Sequence, residues 1–322
     1  MHPSKPVALI PLFSLMLLAA APASAQEWPK QKPVSLVVAF GAGSITDTLA
    51  RLIGQKLAES LGQAVIVDNR PGAGGNIGTQ RVQSSAPDGY TILMHSTAYA
   101  VNSALFAKAG YDPLKDFTPL ILAASTPNAF SVHPSVPAKS LQELIRLARQ
   151  HPLAYASPGI GTSPHLSMER IKALAKIDIT HVPYQPAQAV TALVGGQIPV
   201  LSISVSIQLP QVRAGKIRAL AVTSAQRAAA LPEVPTVAEQ GYKDYDELNW
   251  FGIFAPAGTP AAIAGRLNAE MNRVLELPDM REKYGQLGLD FRRNSLAEFA
   301  AFIKVEVPKQ ARAVKDSGAK VD

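Results

Sequence analysis

Short β-branched runs alternate with segments of helical periodicity along most of this 322-residue sequence. The first cycle goes from a buried strand pattern at 34–40 to leucine and isoleucine residues at helical spacing, from Leu49 until Gly62. Strands that are separated by helices form parallel sheets that helices cover on both faces. The alternation therefore predicts an α/β fold with doubly wound sheets.

Two lobes are expected because a single core stops growing at about 250–300 residues. A second block of alternating elements begins where Ser140 and Glu143 form a capping box, and a third begins at the apolar strand 250–255. Ligands of doubly wound sheets bind beyond the carboxyl ends of the strands, which predicts a site in the cleft between the lobes. We expect lobe 1 over 26–124, lobe 2 over 125–249 and a return to lobe 1 over 250–322.

Residues 1–25 have the pattern of a secretory signal peptide. Lys5 precedes the apolar run 7–18, and Ala23-Ser24-Ala25 is a small-residue cleavage site. A transmembrane anchor is the alternative, but the run is shorter than the roughly 20 apolar residues that a spanning helix needs. The sequence has no cysteine, which excludes lipid attachment at a cysteine and any disulfide. We therefore expect a soluble periplasmic chain that begins at Gln26.

The composition argues against several classes of protein. The formal net charge is +7, but the lysine and arginine residues are scattered, so no nucleic-acid partner is expected. No Gly-x-Ser-x-Gly elbow and no His-Glu-x-x-His motif is present. These absences argue against nucleophilic catalysis and against a metal site.

The loop at 40–47 is the first candidate site. Its glycines allow the backbone to approach an anion, and Thr46 or Asp47 can cap the helix that follows. Gly41-x-Gly43 after a strand also resembles a dinucleotide fingerprint, but Thr46 stands where the third glycine belongs. A dinucleotide-dependent enzyme is therefore the alternative to an anion-binding protein. In the second block, Ser163 is expected to cap a helix that begins at Pro164. In the third block, Thr259 is expected to cap a helix that begins at Pro260, and Ser295 and Glu298 are expected to form a capping box.

Several strings of residues resemble one known family of receptors. They are 68–78 (DNRPGAGGNIG), 86–91 (APDGYT), 111–113 (YDP), 115–119 (KDFTP), 133–138 (HPSVPA), 159–163, 181–184 (HVPY), 214–223, 231–239 (LPEVPTVAE) and 251–260. Together they span nearly all of the mature chain. They resemble the Bug receptors, which are the extracytoplasmic receptors of the tripartite tricarboxylate transporter family. Within the first string, Arg70 is expected to pair with Asp68.

This resemblance implies a periplasmic binding protein (Venus flytrap) with two doubly wound lobes and a ligand cleft between them. It implies that the chain captures a small organic acid for the membrane subunits of a transporter, as a monomer, without a cofactor and without turnover. Loop amides, hydroxyls and helix N-termini would hold the carboxylate in place of an arginine clamp. Because the family has orphan members, a receptor that feeds a sensor is the alternative.

The resemblance also implies the ligand-binding positions. Those that match the family's loops are Gly43, Ser44, Thr46, Asp47, Asn76, Ser96, Thr97, Gly161, Thr162, Ser163 and Tyr184. Three further candidates, Gln185, Ile203 and Ser204, lie where the chain departs from the family.

Two of these departures predict the class of ligand. Gln185 stands where the family often has a cation, and the loop that contains Ile203 lacks a common aspartate. If both side chains face the cleft, the pocket offers no cation for a second carboxylate and no anion for an ammonium group. The sequence therefore predicts an amine-free carboxylate, aromatic or short aliphatic, in preference to aspartate, glutamate or citrate.

Overall fold

The computed structural model describes residues 28–321, so the expected cleavage site before Gln26 lies outside the described residues. The strands are β1 (Val34–Val38), β2 (Val65–Asn69), β3 (Thr91–Ser96), β4 (Phe117–Val132), β5 (Ala154–Ser157), β6 (Thr180–Pro183), β7 (Val200–Ser204), β8 (Arg218–Val222) and β9 (Leu248–Pro256). The helices are α1 (Ile45–Leu61), α2 (Asn76–Gln83), α3 (Ala98–Leu105), α4 (Leu141–Gln150), α5 (Ser163–Ala175), α6 (Pro186–Val194), α7 (Val205–Arg213), α8 (Ala261–Leu275), α9 (Pro278–Gln286) and α10 (Leu296–Ser317).

The strands form two sheets that share β4. The first sheet has the order β2-β1-β3-β9-β4, and the second has the order β8-β4-β7-β5-β6. Residues 117–127 of β4 pair with β9, and residues 128–132 pair with β7 and β8. The 16-residue strand β4 therefore runs from one lobe into the other. The lobe boundaries expected from the sequence stay a prediction.

Neither sheet is wholly parallel, which corrects the expectation from the sequence. The pairs β1–β2, β1–β3, β5–β6 and β5–β7 are parallel, whereas β9 pairs with β3 and β4 in the antiparallel direction. β4 is also antiparallel to β7 and β8. The parallel pairs are those whose strands are joined through helices. The antiparallel pairs all involve the strands that cross between lobes, or β8 beside them.

Helices cover both faces of the first sheet, as the alternation predicts. On one face, side chains of β1 such as Leu36 pack with Ile53 of α1 and Leu267 of α8. The other face carries a buried aromatic cluster, in which Phe254 of β9 stacks on Tyr99 of α3 with ring centroids 4.2 Å apart. The full cluster is Tyr99, Tyr111, Phe117, Trp250, Phe254 and Phe299. The last helix, α10, therefore packs against the first sheet.

The second sheet is also covered on both faces. Phe130 of β4 and Tyr155 of β5 pack with Leu144 of α4 and Met168 of α5. Small apolar side chains of α6 cover the opposite face against Leu201 of β7.

The helix ends follow the predicted cap chemistry, with shifts at three of them. The capping box of Ser295 and Glu298 is present, and Gly62 ends α1 in the left-handed conformation with φ 63°. However, Ser44 caps α1 in place of Thr46 or Asp47, because its Oγ accepts the N–H of Asp47. Thr162 takes the cap position of α5 in place of Ser163, and Pro260 takes that of α8 in place of Thr259.

Candidate ligand-binding site

The loop after β1 is held by a buried carboxylate. Asp47 is 3% exposed, and its oxygens accept hydrogen bonds from Gly43 N at 2.9 Å, Asn69 Nδ2 at 2.9 Å and Arg51 Nε at 3.0 Å. Gly43 has φ 81°, which favours glycine. Ser44 is half-buried and Thr46 is buried in the first turn of α1. The carboxylate of Asp47 therefore fixes the path of the loop and already accepts hydrogen bonds from three donors.

These contacts hold the pKa of the Asp47 carboxyl below its usual value. Burial acts to raise that pKa, but the hydrogen bonds from Arg51, Gly43 and Asn69 and the charge of Arg51 outweigh it. A carboxyl whose folded-state pKa is lowered stabilises the fold above its unfolded pKa of about 3.9 and loses this effect as the pH falls through the folded value.

We expect Asp47→Asn to lower the free energy of unfolding at pH 7 by about 1–3 kcal/mol, because it removes a charged acceptor from three donors. The difference from wild type should shrink as the pH falls from about 4 through the lowered folded-state pKa, because the carboxyl takes up its proton first in the unfolded chain and then in the folded one. Urea unfolding at pH 7, 5 and 3 measures it. The matched control is Asp68→Asn. Asp68 pairs with Arg70, as the sequence predicts, but Arg70 is exposed, so this variant should lose only about 0–1 kcal/mol of unfolding free energy. Equal losses in the two variants, or a difference that widens in acid, would contradict the role of Asp47.

The glycine-rich turn before α2 is tied to α3. The Nδ2 of Asn102 donates to Gly74 O and to Asn76 Oδ1, each at 2.9 Å. Asn76 is the first residue of α2 and is buried, and its side-chain oxygen already accepts the hydrogen bond from Asn102. Beneath the turn, burial lowers the pKa of His95 to about 4, so this histidine is neutral at physiological pH and packs between Phe40 and Tyr99.

The loop after β5 carries three candidates and meets the first lobe. Gly161 has φ 75°, and a β-carbon at this position would overlap Cδ2 of Leu105 in α3. Its N–H donates to Nδ1 of His165 at 3.3 Å. Burial, with His181 beside it, lowers the pKa of His165 to about 4, so the ring is neutral and its Nδ1 can accept the Gly161 N–H. Thr162 closes the loop by donating from Oγ1 to Gly159 O at 2.7 Å.

A series of hydrogen-bonded polar side chains joins the two lobes, and we call it the interlobe chain. Thr97 Oγ1 donates to Asn249 Oδ1 at 3.2 Å, and Asn249 Nδ2 donates to Ser204 Oγ at 3.0 Å. Ser204 Oγ donates to Asn128 Oδ1 at 3.3 Å. Asn128 Nδ2 then donates to Ser163 Oγ at 2.9 Å and to Ser167 Oγ at 3.0 Å. The structure therefore brings together the candidates Thr97, Ser163 and Ser204.

The side chains of Tyr184 and Gln185 are not members of this chain. Tyr184 is half-buried beside the apolar side chains of α6, and Gln185 is exposed at the cap position of that helix without a side-chain capping bond. Ser96, at the end of β3, accepts the N–H of Ala98 at 3.4 Å.

The side chain of Ile203 does not meet the condition that it faces the cleft. Ile203 has no exposed surface and packs with Leu193, Ile198 and Leu201 in the apolar core of the second lobe. Successive side chains of a strand point to opposite faces, so Ser204 reaches Asn128 while Ile203 points away from it. The predicted ligand class can no longer rest on Ile203.

Sequence reasoning missed Asn128, Asn249 and Ser167. Asn128 is fully buried in β4, and Asn249 precedes Trp250 in β9. A signal was available, since asparagine is depleted in strands and a buried amide needs partners. Asn249 lies directly before the predicted apolar strand 250–255.

Two further results concern membranes and metals. No helix within residues 28–321 combines the length and the apolarity needed to cross a membrane. Over the same residues, no group of His, Asp and Glu side chains is arranged to hold a metal ion.

The sequence matches a receptor family and a curated relative over most of its length. Residues 49–319 match the family model described as tripartite tricarboxylate transporter family receptor. The protein BugT of Bordetella pertussis is 33% identical over 326 residues, which cover 100% of each chain.

Two solved structures are similar throughout. R. palustris Rpa4515, solved with adipate, has a TM-score of 0.82 and 36% identity, over 91% of this chain and 99% of that chain. MatC from Rhodopseudomonas palustris, with bound malate, has a TM-score of 0.78 and 33% identity, over 88% of this chain and 99% of that chain. These similarities confirm both the two-lobed binding-protein fold and the resemblance to the Bug receptors. The chain belongs to the tripartite tricarboxylate transporter receptor family.

Proposed function

We propose that this chain is a periplasmic receptor that captures a small organic carboxylate and delivers it, chemically unchanged, to the membrane subunits of a tripartite transporter. The proposal is carried by the similarity along the whole chain to relatives whose structures hold adipate and malate. Helix N-termini of both lobes lie at the ends of the interlobe chain, at Thr97 and Ser163, and such termini favour anions. We further propose that the receptor acts as a monomer.

The ligand proposed here is an amine-free carboxylate. All six side chains of the interlobe chain are uncharged: Thr97, Asn128, Ser163, Ser167, Ser204 and Asn249. The carboxylate of Asp47, in the loop after β1, is already bound by Arg51 and Asn69. A ligand ammonium group placed here would lose its hydration without gaining an anionic partner, which is costly. This observation replaces Ile203 as the support for the ligand class.

We expect adipate, malate, succinate or benzoate to stabilise the protein more than aspartate or citrate does. A ligand at about a hundredfold over its Kd stabilises the folded state by about 2.7 kcal/mol. Thermal unfolding of protein freed of ligand by refolding, followed by calorimetry of each acid, measures this effect. Proton NMR of the acid after long incubation shows whether it is consumed.

Two results would contradict the proposal. Tighter binding of aspartate than of succinate would show that an anion faces the ligand after all. Consumption of a bound acid would favour an enzyme over a receptor.

A further inference from the structure

We propose that Asn128 and Asn249 are positioning residues that orient the Ser163 hydroxyl as a hydrogen-bond donor toward the ligand's carboxylate. This inference rests on the proposed function and deepens it. It assigns ligand-orienting roles to two amides that lie in the strands crossing between the lobes, at the point where β4 and β9 leave the first sheet.

The direction of the interlobe chain is set at its first member. The backbone N–H of Trp250 donates to Thr97 Oγ1 at 2.9 Å, and a backbone N–H can only donate. Thr97 is buried, so its own hydroxyl hydrogen needs an acceptor, which is Asn249 Oδ1. The amide of Asn249 is thereby oriented with its oxygen toward Thr97 and its NH₂ group toward Ser204.

The same reasoning continues through the second lobe. Ser204 accepts from Asn249, so its hydroxyl hydrogen is directed to Asn128 Oδ1. The amide of Asn128 must then present its NH₂ group to Ser163 and Ser167. Every side-chain hydrogen bond of the chain therefore runs from the first lobe toward the second.

Ser163 lies at the end of this sequence of donors. Its oxygen accepts a hydrogen bond from the Asn128 amide, and its hydroxyl hydrogen donates to no residue within 28–321. Ser163 is also half-buried, unlike Ser167, and it is the first residue of α5. A hydroxyl that already accepts one hydrogen bond still has its hydrogen free to donate, and a carboxylate only accepts. The orientation set at Trp250 thus favours a carboxylate over a ligand group that donates.

Asn128→Asp is the sharpest change, because it conserves shape and reverses the hydrogen bonding. Aspartate would accept from Ser163, which would turn the hydroxyl hydrogen away from the ligand. With adipate as the probe, we expect Asn128→Asp and Ser163→Ala each to weaken binding by roughly tenfold or more, the loss of a hydrogen bond to a charged group. If Asn128 acts through Ser163, the affinity of the double variant for adipate should be about equal to that of the single variant with the lower affinity.

Calorimetry on the four proteins, each checked for folding by circular dichroism, completes the double-mutant cycle. Ser131→Ala is the matched control, since it removes a buried hydrogen bond to Gln208 on the same strand outside the chain. Its affinity for adipate should stay within about twofold of wild type. If Asn128→Asp does not fold, Asn249→Asp takes its place in the cycle, because it interrupts the chain farther from Ser163.

The outcomes separate the two proposals. Additive losses in the double variant, or unchanged affinity in the aspartate variants, would overturn the orienting role while leaving the receptor function intact. A wild-type protein that binds none of adipate, malate, succinate and benzoate would overturn the proposed function, and the orienting role with it.

Discussion

Replacing Gly161 with valine should weaken the binding of a carboxylate ligand by roughly 10–100-fold, because the new side chain would meet the first lobe. A β-branched residue at φ 75° is also strained by about 1–3 kcal/mol, which lowers the stability of the fold. Its β-carbon would also overlap Leu105 of the first lobe, which hinders closure of the lobes around the ligand. Each 1.4 kcal/mol corresponds to about tenfold in affinity. Calorimetry with the tightest-binding acid of the panel measures the loss.

Gly159→Val separates the strain from the overlap. Gly159 lies in the same loop with φ 131°, but no atom outside its chain neighbours lies within 4 Å of a β-carbon built there. This control should lose stability and little affinity. Leu105→Ala in the Gly161→Val background should restore part of the affinity, because it opens space across the lobe contact. Equal losses of affinity in the two valine variants, with no rescue, would show that this contact does not limit closure.

Phe254→Ala should lower the free energy of unfolding by about 3–5 kcal/mol, the usual effect of emptying the site of a buried aromatic ring. Phe254 is fully buried, stacks on Tyr99 and lies 5.2 Å from Phe299, measured between ring centroids. The rings come from β9, α3 and α10, so collapse into the cavity requires three elements to move. Guanidinium unfolding measures the change.

Phe302→Ala is the matched control for Phe254→Ala. Phe302 lies on α10 and contacts Trp250, with ring centroids 5.6 Å apart, but it is half-buried. Its loss should be about 1–2 kcal/mol, since a partly exposed ring loses less burial. A loss for Phe254→Ala no larger than that of the control would mean that the aromatic cluster contributes little to stability.

Local chemistry made most of the elements predictable. The helical spacing of Leu49, Ile53 and Leu57 marks α1, and Gly62 marks its end, because periodicity and left-handed glycine both act within a few residues. The capping box of Ser295 and Glu298 is equally local. By contrast, α2 and α3 were not predicted. Both are short, and α2 depends on a turn that Asn102 holds from another helix.

The crossing between lobes could not be predicted in the same way. Residues 125–128 interrupt the apolar pattern of β4 with serine, threonine, proline and asparagine, which is typical of a loop. In the folded chain, those residues pair with β9 or β7, which lie far away in sequence. The partners of Asn128 are equally distant. The orientation of the Ile203 side chain could have been predicted, since alternation with Ser202 and Ser204 already places it on the opposite face of the strand.

The position of β9 has a consequence for the order of folding. It lies between β3 and β4 in the first sheet, although the whole second lobe separates it from them in sequence. As a chain emerges N-terminus first, the second sheet has all its strands once Val222 is free, whereas the first sheet lacks its inner strand until 248–256 follows. Distant pairing is slow because loop closure costs entropy before any contact is gained. We therefore expect β3 and residues 117–127 of β4 to keep unpaired edges until β9 has emerged.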